Sequence, residues 1–313
     1  MKLNFKKIIV LMGGPSSEAE ISRLTGNAIL KALQSLGYNA EGMEFVPMTL
    51  VEDVKKSGCD IVFNAVHGKY GEDGRIAAAL EMIDMPYTSC SVLSSAVTMD
   101  KVATKYLFRA AGISTPRSIV CHRSDSKKDL AAEILKEFSL PVVVKAASQG
   151  SSIGVEIVEK AEDLQAALDN SFKYDEAVLI EEFIRGMELS VPVIGNKHKK
   201  ALPIIEITTN SGRYDYKSKY TKGESHHTIP APLSPELTEK VQQLCVDACN
   251  AAGCRGVVRV DVMLGKDGVP YALEINSVPG MTEVSLVPDS AKHAGISFPE
   301  LCEMILAMAV EDE

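Results

Sequence analysis

Short apolar runs that alternate with amphipathic stretches dominate the first third of the chain. This alternation of strands and helices predicts a parallel α/β unit. Ligands of open α/β sheets bind beyond the carboxyl ends of strands, so the glycine-rich turns at 13–17 and 67–74 are candidate site loops. The predicted elements are strands over 7–12, 39–46 and 60–65 and a helix over about 18–35.

The pattern of the remaining chain predicts two more units, the first beginning near residues 91–96. That unit is predicted to hold helices over about 100–111 and 127–138 and strands over 118–121, 141–145, 155–158 and 177–182. The last unit is predicted to hold strands over 189–194, 201–207, 256–264 and 269–275 and helices over about 234–252 and 298–310. A polar stretch, 209–225, separates the strand predicted over 201–207 from the helix predicted over 234–252. It is long enough to predict a functional lid.

Composition fits this division into units. The chain has 313 residues, of which 46% are hydrophobic, and this length favours two or three domains. The net charge of −9 argues against nucleic acid as the main partner, although a few placed lysines can still bind phosphate. No apolar run reaches about 18 residues, which predicts a cytoplasmic protein that does not span a membrane.

Seven cysteines are spread along the chain and none forms a CxxC pair. They are interpreted as buried, reduced thiols of a cytosolic protein. A metal or redox site is the alternative for the group Cys245, Cys249 and Cys254, of which a helix would place the first two on one face.

Four polar residues on two apolar strands carry the strongest chemical signal. On a strand, alternate residues share a face, so Arg259 lies with Asp261, and Glu274 lies with Asn276. A hairpin at 265–268 would bring the two pairs side by side. Three oxygen-bearing side chains then converge, as Mg²⁺ prefers, with Arg259 beside them. The alternative is an exposed sheet with ordinary polar positions.

A glycine- and serine-rich turn at 149–154 follows the strand that ends in Lys145. Such a turn lets backbone N–H groups approach a phosphate, and Lys145 would add a positive charge. The sequence contains neither GxxxxGK[ST] nor GxGxxG. An ordinary hairpin turn explains the pattern equally well.

Further candidates each have a structural alternative. Glu181 and Glu182 end a predicted strand, where they would either hold a nucleotide or lie in solvent. Asp100 is a candidate N-cap, and Lys101 would either face solvent or reach a phosphate.

Residues in the turns of the first and last units also have both a ligand-binding and a structural interpretation. Glu18 would either anchor an ammonium group or favour the helix dipole, with Ser17 as the helix cap. Gly280 offers a flexible backbone N–H, and a serine at a helix start, Ser285, suits carboxylate binding. A lone histidine such as His67 is more often structural, and His226-His227 lack the spacing of a metal site.

The ordered motifs resemble the D-alanine–D-alanine ligases of the ATP-grasp superfamily over essentially the whole length. They are GGPSSEAEIS, HGKYGEDG, MDK, VVVKAASQGSSIGV, LIEEF, YDYKSKY, RVDVML and LEINSVPGMTEVSLVP. The resemblance implies an α/β ATP-grasp fold of three domains, taken here as 1–92, 93–184 and 185–313. It implies ATP between the central and C-terminal sheets, two Mg²⁺ ions for which Mn²⁺ can substitute, D-alanine as substrate, and a homodimer.

The resemblance also implies a role for individual residues. The nucleotide would be held by Lys101, Lys145, Ser152, Glu181, Glu182 and Glu188, and the two metal ions by Asp261, Glu274 and Asn276. The first D-alanine would be bound by Glu18, which is linked through Ser151 to Tyr220, with His67 nearby. Lys219 would orient the transferred phosphate, and Arg259 with the Gly280 N–H would form an oxyanion hole. The carboxylate of the second D-alanine would be bound by Ser285 and Leu286.

These roles predict an ATP-dependent ligase that makes D-alanyl-D-alanine through an acyl-phosphate, for peptidoglycan precursors. Two positions depart from the family pattern: Ala146 replaces a common proline, and Glu182 replaces a common lysine, which predicts an altered nucleotide affinity. The alternatives are another ATP-grasp carboxylate–amine ligase and a non-enzymatic nucleotide-binding regulator. Glu18, Tyr220 and Ser285 argue against the first, and Arg259 with the metal carboxylates argues against the second.

Overall fold

Three β-sheets, each flanked by helices, organise the chain in this computed structural model. It describes residues 3–125, 129–150, 154–209, 224–282 and 285–311. The strands are β1 (Ile8–Met12), β2 (Ala40–Glu44), β3 (Ile61–Asn64), β4 (Ser118–His122), β5 (Val142–Ala146), β6 (Val155–Val158), β7 (Ala177–Glu182), β8 (Gly186–Ile194), β9 (Lys200–Ala201), β10 (Ile205–Thr209), β11 (Ser225–Thr228), β12 (Val257–Gly265) and β13 (Pro270–Asn276).

Helices within the described ranges precede, separate or follow these strands. They are α1 (Ala19–Ser35), α2 (Leu50–Ser57), α3 (Arg75–Glu81), α4 (Val92–Met99), α5 (Lys101–Ala110), α6 (Leu130–Glu137), α7 (Leu164–Ser171), α8 (Pro235–Ala251), α9 (Leu286–His293) and α10 (Phe298–Ala309). In this part of the chain, none of them combines the length and the apolar character needed to cross a membrane.

The first sheet is parallel, in the order β2-β1-β3, which confirms the predicted parallel α/β unit. Every residue of β1 is buried, as expected for a strand covered on both faces. One face packs on α1 through Ile29 and Leu33, and α10 joins the same core through Leu301 and Ile305. The C-terminal helix therefore packs against the N-terminal sheet.

The second and third sheets are antiparallel. The second has the order β4-β7-β5-β6, and the third has the order β11-β10-β8-β12-β13, with β9 paired to β8. The predicted hairpin between β5 and β6 is confirmed. The hairpin between β12 and β13 is confirmed as well, with Gly268 in its turn at a φ of +75°.

The sequence pattern was wrong at one strand and missed several short helices. The strand predicted over 201–207 is interrupted, because Pro203 has no N–H for a sheet and its carbonyl instead accepts a hydrogen bond from the Ser290 hydroxyl at 2.6 Å. The missed helices have seven or eight residues, about two turns, which is too short for a clear helical period; they are α2, α3, α4 and α7. The helix start predicted at Ser285 is confirmed, because Ser285 is the N-cap residue of α9.

The strands of each sheet come from one of the three predicted segments of the chain. The domain boundaries at 92 and 184 remain predictions. All seven cysteines are buried and free, which confirms the interpretation as buried thiols. His226 and His227 lie in β11, which pairs with β10.

Candidate active site

A cavity of about 640 Å³ lies between the second and third sheets. Its volume falls in the usual range for small-molecule sites, about 300–1,000 Å³. Its walls combine apolar side chains such as Val143, Ile157 and Met263 with charged groups. The charged lining includes Lys101, Lys145, Glu181, Glu182, Glu188, Asp261 and Glu274. The third sheet contributes β8, β10, β12 and β13, and the second contributes β5, β6 and β7.

Asp261 is the centre of a polar cluster on β12 and β13. The register pairs Asp261 with Glu274 and Arg259 with Asn276, so the four residues lie on alternate rungs and share one face of the sheet, as predicted. The Arg259 guanidinium donates two hydrogen bonds to the Asp261 carboxylate, each of 2.8 Å. The Asn276 amide donates to Asp261 Oδ2 at 3.1 Å, and the Ser190 hydroxyl donates to Oδ1 at 2.8 Å.

This donor set fits a hard divalent cation. Two carboxylates and an amide supply only oxygen ligands, and Mg²⁺ fills its remaining positions with water and phosphate oxygens. Among the described residues, no cluster of three His, Cys, Asp or Glu side chains is arranged to hold a metal. A bound ion at Asp261 and Glu274 would therefore depend on Asn276 and on oxygens from a ligand.

Lys101 begins helix α5 and points into the cavity. Its side chain is 10% exposed, and its ammonium lies 3.4 Å from the Glu274 carboxylate. It also donates to the Gln149 carbonyl at 2.6 Å, at the start of the glycine-rich turn. The solvent-facing alternative for Lys101 is therefore wrong, while Asp100 caps α5 as predicted, by accepting a hydrogen bond from the Ala103 N–H at 2.9 Å.

Glu181 lies between two lysines rather than in solvent. Its side chain is 1% exposed, and one oxygen lies 2.6 Å from the ammonium of Lys105, while the other contacts that of Lys145. Burial raises the pKa of Glu181, but the two lysines lower it more, so the carboxylate is ionised. The alternative of a solvated strand end is wrong for this residue. Lys105 was not predicted as a site residue, although one signal indicates it: Lys105 follows Lys101 by four residues on the same face of helix α5.

Glu182 and Glu188 also line the cavity. The Glu182 side chain accepts a hydrogen bond from the Arg117 N–H at 2.9 Å. Glu188 lies near the start of β8, opposite Met263 of β12.

A second group of polar side chains lies where the first sheet meets Gly150, in the glycine-rich turn that follows β5. Glu18, 8% exposed, precedes α1 directly and is its N-cap residue, so the predicted cap at Ser17 is wrong. The Glu18 carboxylate lies against the backbone of Gly68 and Gly150 so closely that a Cβ at either would come within 2.4 or 2.9 Å of it. The absence of side chains at these two glycines therefore makes room for the carboxylate.

Both ring nitrogens of His67 are engaged. Nδ1 lies 2.9 Å from the Val278 carbonyl, and Nε2 lies 2.9 Å from the Thr25 hydroxyl. Because a carbonyl only accepts, Nδ1 carries the proton and Nε2 of the neutral ring accepts from Thr25. Burial lowers the pKa of His67, against the opposing effect of Glu18, which favours this neutral form.

Glu72, in the candidate site loop 67–74, is a second carboxylate of this group and is partly buried. Its Oε2 accepts the Gly68 N–H at 2.6 Å, and its Oε1 accepts the Val278 N–H at 3.3 Å. Burial, and next the negative charge of Glu18, raise the pKa of Glu72 to about 8. His67 and Glu72 thus tie the turn after β3 to the segment after β13.

Gly280 and Ser285 lie together after β13. A Cβ at Gly280 would come within 3.0 Å of the Ser285 hydroxyl. That hydroxyl is within 2.8 Å of the Thr282 hydroxyl and accepts the Thr282 N–H at 3.0 Å. The Leu286 side chain is buried beside Ile205, so only its backbone can serve a ligand. Four further predicted site residues lie outside the described part of the chain: Ser151, Ser152, Lys219 and Tyr220.

Two antiparallel sheets that enclose a cavity lined with lysines and carboxylates, beside a parallel α/β unit, define a ligase of the ATP-grasp class. Comparison with known proteins narrows the class. One family model, D-ala D-ala ligase C-terminus, matches residues 107–307, and another, D-ala D-ala ligase N-terminus, matches residues 43–90. The chain belongs to the D-alanine–D-alanine ligase family.

Individual relatives agree over nearly the full length. The D-alanine–D-alanine ligase of Desulforamulus reducens is 45% identical over 309 residues, which cover 97% of this chain and 99% of that protein. The structure of the D-alanine–D-alanine ligase from Bacillus anthracis complexed with ATP is 35% identical, with a TM-score of 0.85 and 97% of both chains covered. The VanG D-Ala:D-Ser ligase from Enterococcus faecalis is 28% identical, with a TM-score of 0.84, and the match covers 98% of this chain and 100% of that one.

Proposed function

We propose that this chain uses ATP to join two D-alanine molecules into D-alanyl-D-alanine, through a D-alanyl-phosphate, for peptidoglycan precursors. The observation that carries the proposal is the cavity between the two antiparallel sheets, where Lys101 and Lys145 face Asp261 and Glu274. Positive side chains for phosphates and oxygen ligands for cations there meet the needs of phosphoryl transfer. The similarity to D-alanine–D-alanine ligases along the full chain supports the choice of substrate.

The nucleotide would lie in the cavity with its phosphates near Lys101 and Lys145. A carboxylate is a poor electrophile, so the first D-alanine must be converted to an acyl-phosphate before an amine attacks it. Asp261, Glu274 and Asn276 would hold two Mg²⁺ ions, which when bound neutralise negative charge on phosphate oxygens.

The first D-alanine would lie at the junction of the first sheet and the glycine-rich turn. Its ammonium would be held by Glu18, whose carboxylate lies against Gly68 and Gly150. His67 and Glu72 would shape this end of the pocket through their hydrogen bonds to Val278. The unprotonated amine of the second D-alanine, held through Ser285 and the Leu286 backbone, would then attack the acyl carbon.

Arg259 and the Gly280 N–H would stabilise the negative oxygen of the tetrahedral intermediate. Arg259 lies near the start of β12, where it contacts Asp261, and 13% of its side chain is exposed. The predicted roles of Ser151, Ser152, Lys219 and Tyr220, and of 209–225 as a lid, are part of the same proposal. We also propose that the enzyme is cytoplasmic and forms a homodimer. Light scattering after gel filtration measures the mass of the assembly and therefore tests the dimer.

The decisive experiment measures phosphate release from ATP and Mg²⁺ with D-alanine, D-serine, D-lactate or L-alanine supplied in turn, and identifies products by mass spectrometry. We expect phosphate release with D-alanine, together with the dipeptide D-alanyl-D-alanine. A different productive substrate would identify another ligase of the class. Nucleotide binding without release on any substrate would indicate a regulator.

A further inference from the structure

Lys105 is a fully buried lysine directly behind the wall of the nucleotide cavity. Only 2% of its side chain is exposed, and its ammonium lies 2.6 Å from a Glu181 oxygen. It also donates to the Thr115 hydroxyl, and the Ala272 carbonyl lies 3.4 Å away. Lys145 and Glu181 line the cavity in front of it. Lys105 thus joins α5 to β7 and β13 without a path to a nucleotide itself.

The three side chains carry an unbalanced charge. One carboxylate, Glu181, lies between the ammonium groups of Lys105 and Lys145, so the group has a net charge of +1. Burial lowers the pKa of Lys105 to about 8, while Glu181 keeps the pKa of Lys145 raised despite burial. Both ammonium groups are therefore mostly protonated at neutral pH. Burying surplus charge is costly, so the arrangement calls for a role outside stability.

We propose that Lys105 is a positioning residue of the nucleotide site: by pairing with one oxygen of Glu181, it preserves positive charge on Lys145 for the phosphates. The proposal rests on the proposed nucleotide site. Without Lys105, the Glu181 carboxylate would be shared with no other lysine and would neutralise Lys145. The pocket would then lose one positive charge although no residue that faces the nucleotide had changed.

Two other carboxylates also interact with Lys145, and they do not alter this comparison. Glu274 and Glu188 both exert an electrostatic effect on it. Glu274 is a candidate metal ligand, and Glu188 is a candidate nucleotide ligand, so bound ligands would engage both. The positive charge of Lys105, which pairs with Glu181, would remain.

The test compares a ligand with phosphates and one without them. ADP and adenosine are titrated by calorimetry into the wild type and the Lys105→Met variant, with Mg²⁺ present. We expect ADP to bind about tenfold more weakly in the variant, and adenosine to change by less than about twofold, since one charge near a phosphate contributes roughly 1.4 kcal/mol at intermediate dielectric. Equal losses for the two ligands would overturn the proposal, because a merely structural defect weakens both.

A double variant provides the second readout. In Lys105→Met/Glu181→Gln, the charges of Lys105 and Glu181 are both removed, so the positive charge of Lys145 is no longer neutralised by Glu181. We expect the ratio of ADP to adenosine affinity to return to within about threefold of the wild-type ratio, as a charge-coupled pair requires. A ratio as low as that of the single variant would contradict the proposal.

Folding and charge controls complete the design. Lys136→Met removes one exposed lysine from α6 and is expected to leave both affinities unchanged. Thermal melting reports on folding, and Lys105→Gln, which keeps a hydrogen-bonding group, replaces Lys105→Met if the latter does not fold. The assay contains no D-alanine, so its outcome is separate from that of the dipeptide assay: a chain that makes no dipeptide yet shows these ratios would refute only the proposed reaction.

Discussion

The Asp261 carboxylate shows how neighbouring side chains fix the orientation of a site residue. It accepts hydrogen bonds from Arg259, Asn276 and Ser190, which hold it in one orientation on β12. Of these partners, only Ser190 was absent from the sequence interpretation. Alternation along two strands placed the others on shared faces, while Ser190 comes from a third strand, β8, whose register to β12 no local pattern contains.

Replacing Arg259 by methionine tests the oxyanion role. We expect turnover to fall by about 10²–10³, the usual effect of losing one oxyanion donor. Affinity for ATP should change little at saturating Mg²⁺, because Arg259 contacts Asp261 and its proposed role is at the acyl centre rather than at the nucleotide. Steady-state kinetics and ATP titration measure the two effects. Near-normal turnover in the variant would remove this assignment.

Glu72 gives a prediction about protons. Its pKa of about 8 in the free protein means that the carboxyl is largely protonated near pH 7. An ammonium placed beside Glu18 and Glu72 would favour the ionised form and lower that pKa, so D-alanine binding should release a proton. Affinity for the first D-alanine should therefore fall as the pH decreases below about 8.

Calorimetry in two buffers of different ionisation enthalpy counts the protons, with Mg-ADP present. Proton release should disappear in Glu72→Gln and persist in Glu20→Gln, an exposed control on α1. If Glu72→Gln releases as many protons as the wild type, another group is responsible.

At the scale of elements, the site depends on strand ends and turns that meet from different sheets. His67 and Glu72, after β3, bind Val278, after β13, which is more than 200 positions away in the sequence. The helix α10 has a Ser297–Glu300 capping box and packs its apolar side on α1. Periodicity predicted which of the long segments are helices and which are strands. It did not predict which distant segments contact one another.

The packing of α10 makes a stability prediction. Leu301 is fully buried in the core that α1 and β1 share, so Leu301→Ala should lower the free energy of unfolding by about 2–5 kcal/mol. Met304, on the same helix, is 38% exposed, and Met304→Ala should stay within about 0.5 kcal/mol of the wild type. Urea denaturation followed by circular dichroism compares the two. Equal effects would mean that α10 contributes little to that core.

At the scale of the whole molecule, the cavity is a property of two sheets together. Lys101 and Lys145 come from the second unit, while Asp261 and Glu274 come from the third. A ligand that bridges them should hold the two sheets together and favour the folded state.

Nucleotide and metal should therefore stabilise the protein jointly. At one hundred times its dissociation constant, Mg-ADP should add about 2.7 kcal/mol to the free energy of unfolding. Chelation of the metal with EDTA should remove most of this gain, and Glu274→Gln should reduce it even with Mg²⁺ present. Thermal melting with and without ligand measures the shift. An unchanged shift after chelation would argue against metal-assisted binding at this site.

The sequence by itself determined the parallel N-terminal unit, the two hairpins, and the faces shared by Arg259 with Asp261 and by Glu274 with Asn276. These features follow from periods of two and 3.6 residues and from turn chemistry, which are local. Only the tertiary structure decided which lysines pair with Glu181, how His67 is protonated, and that Glu72 is partly buried beside Glu18. Each of these depends on burial and on charges brought together from distant segments, and no local pattern specifies them.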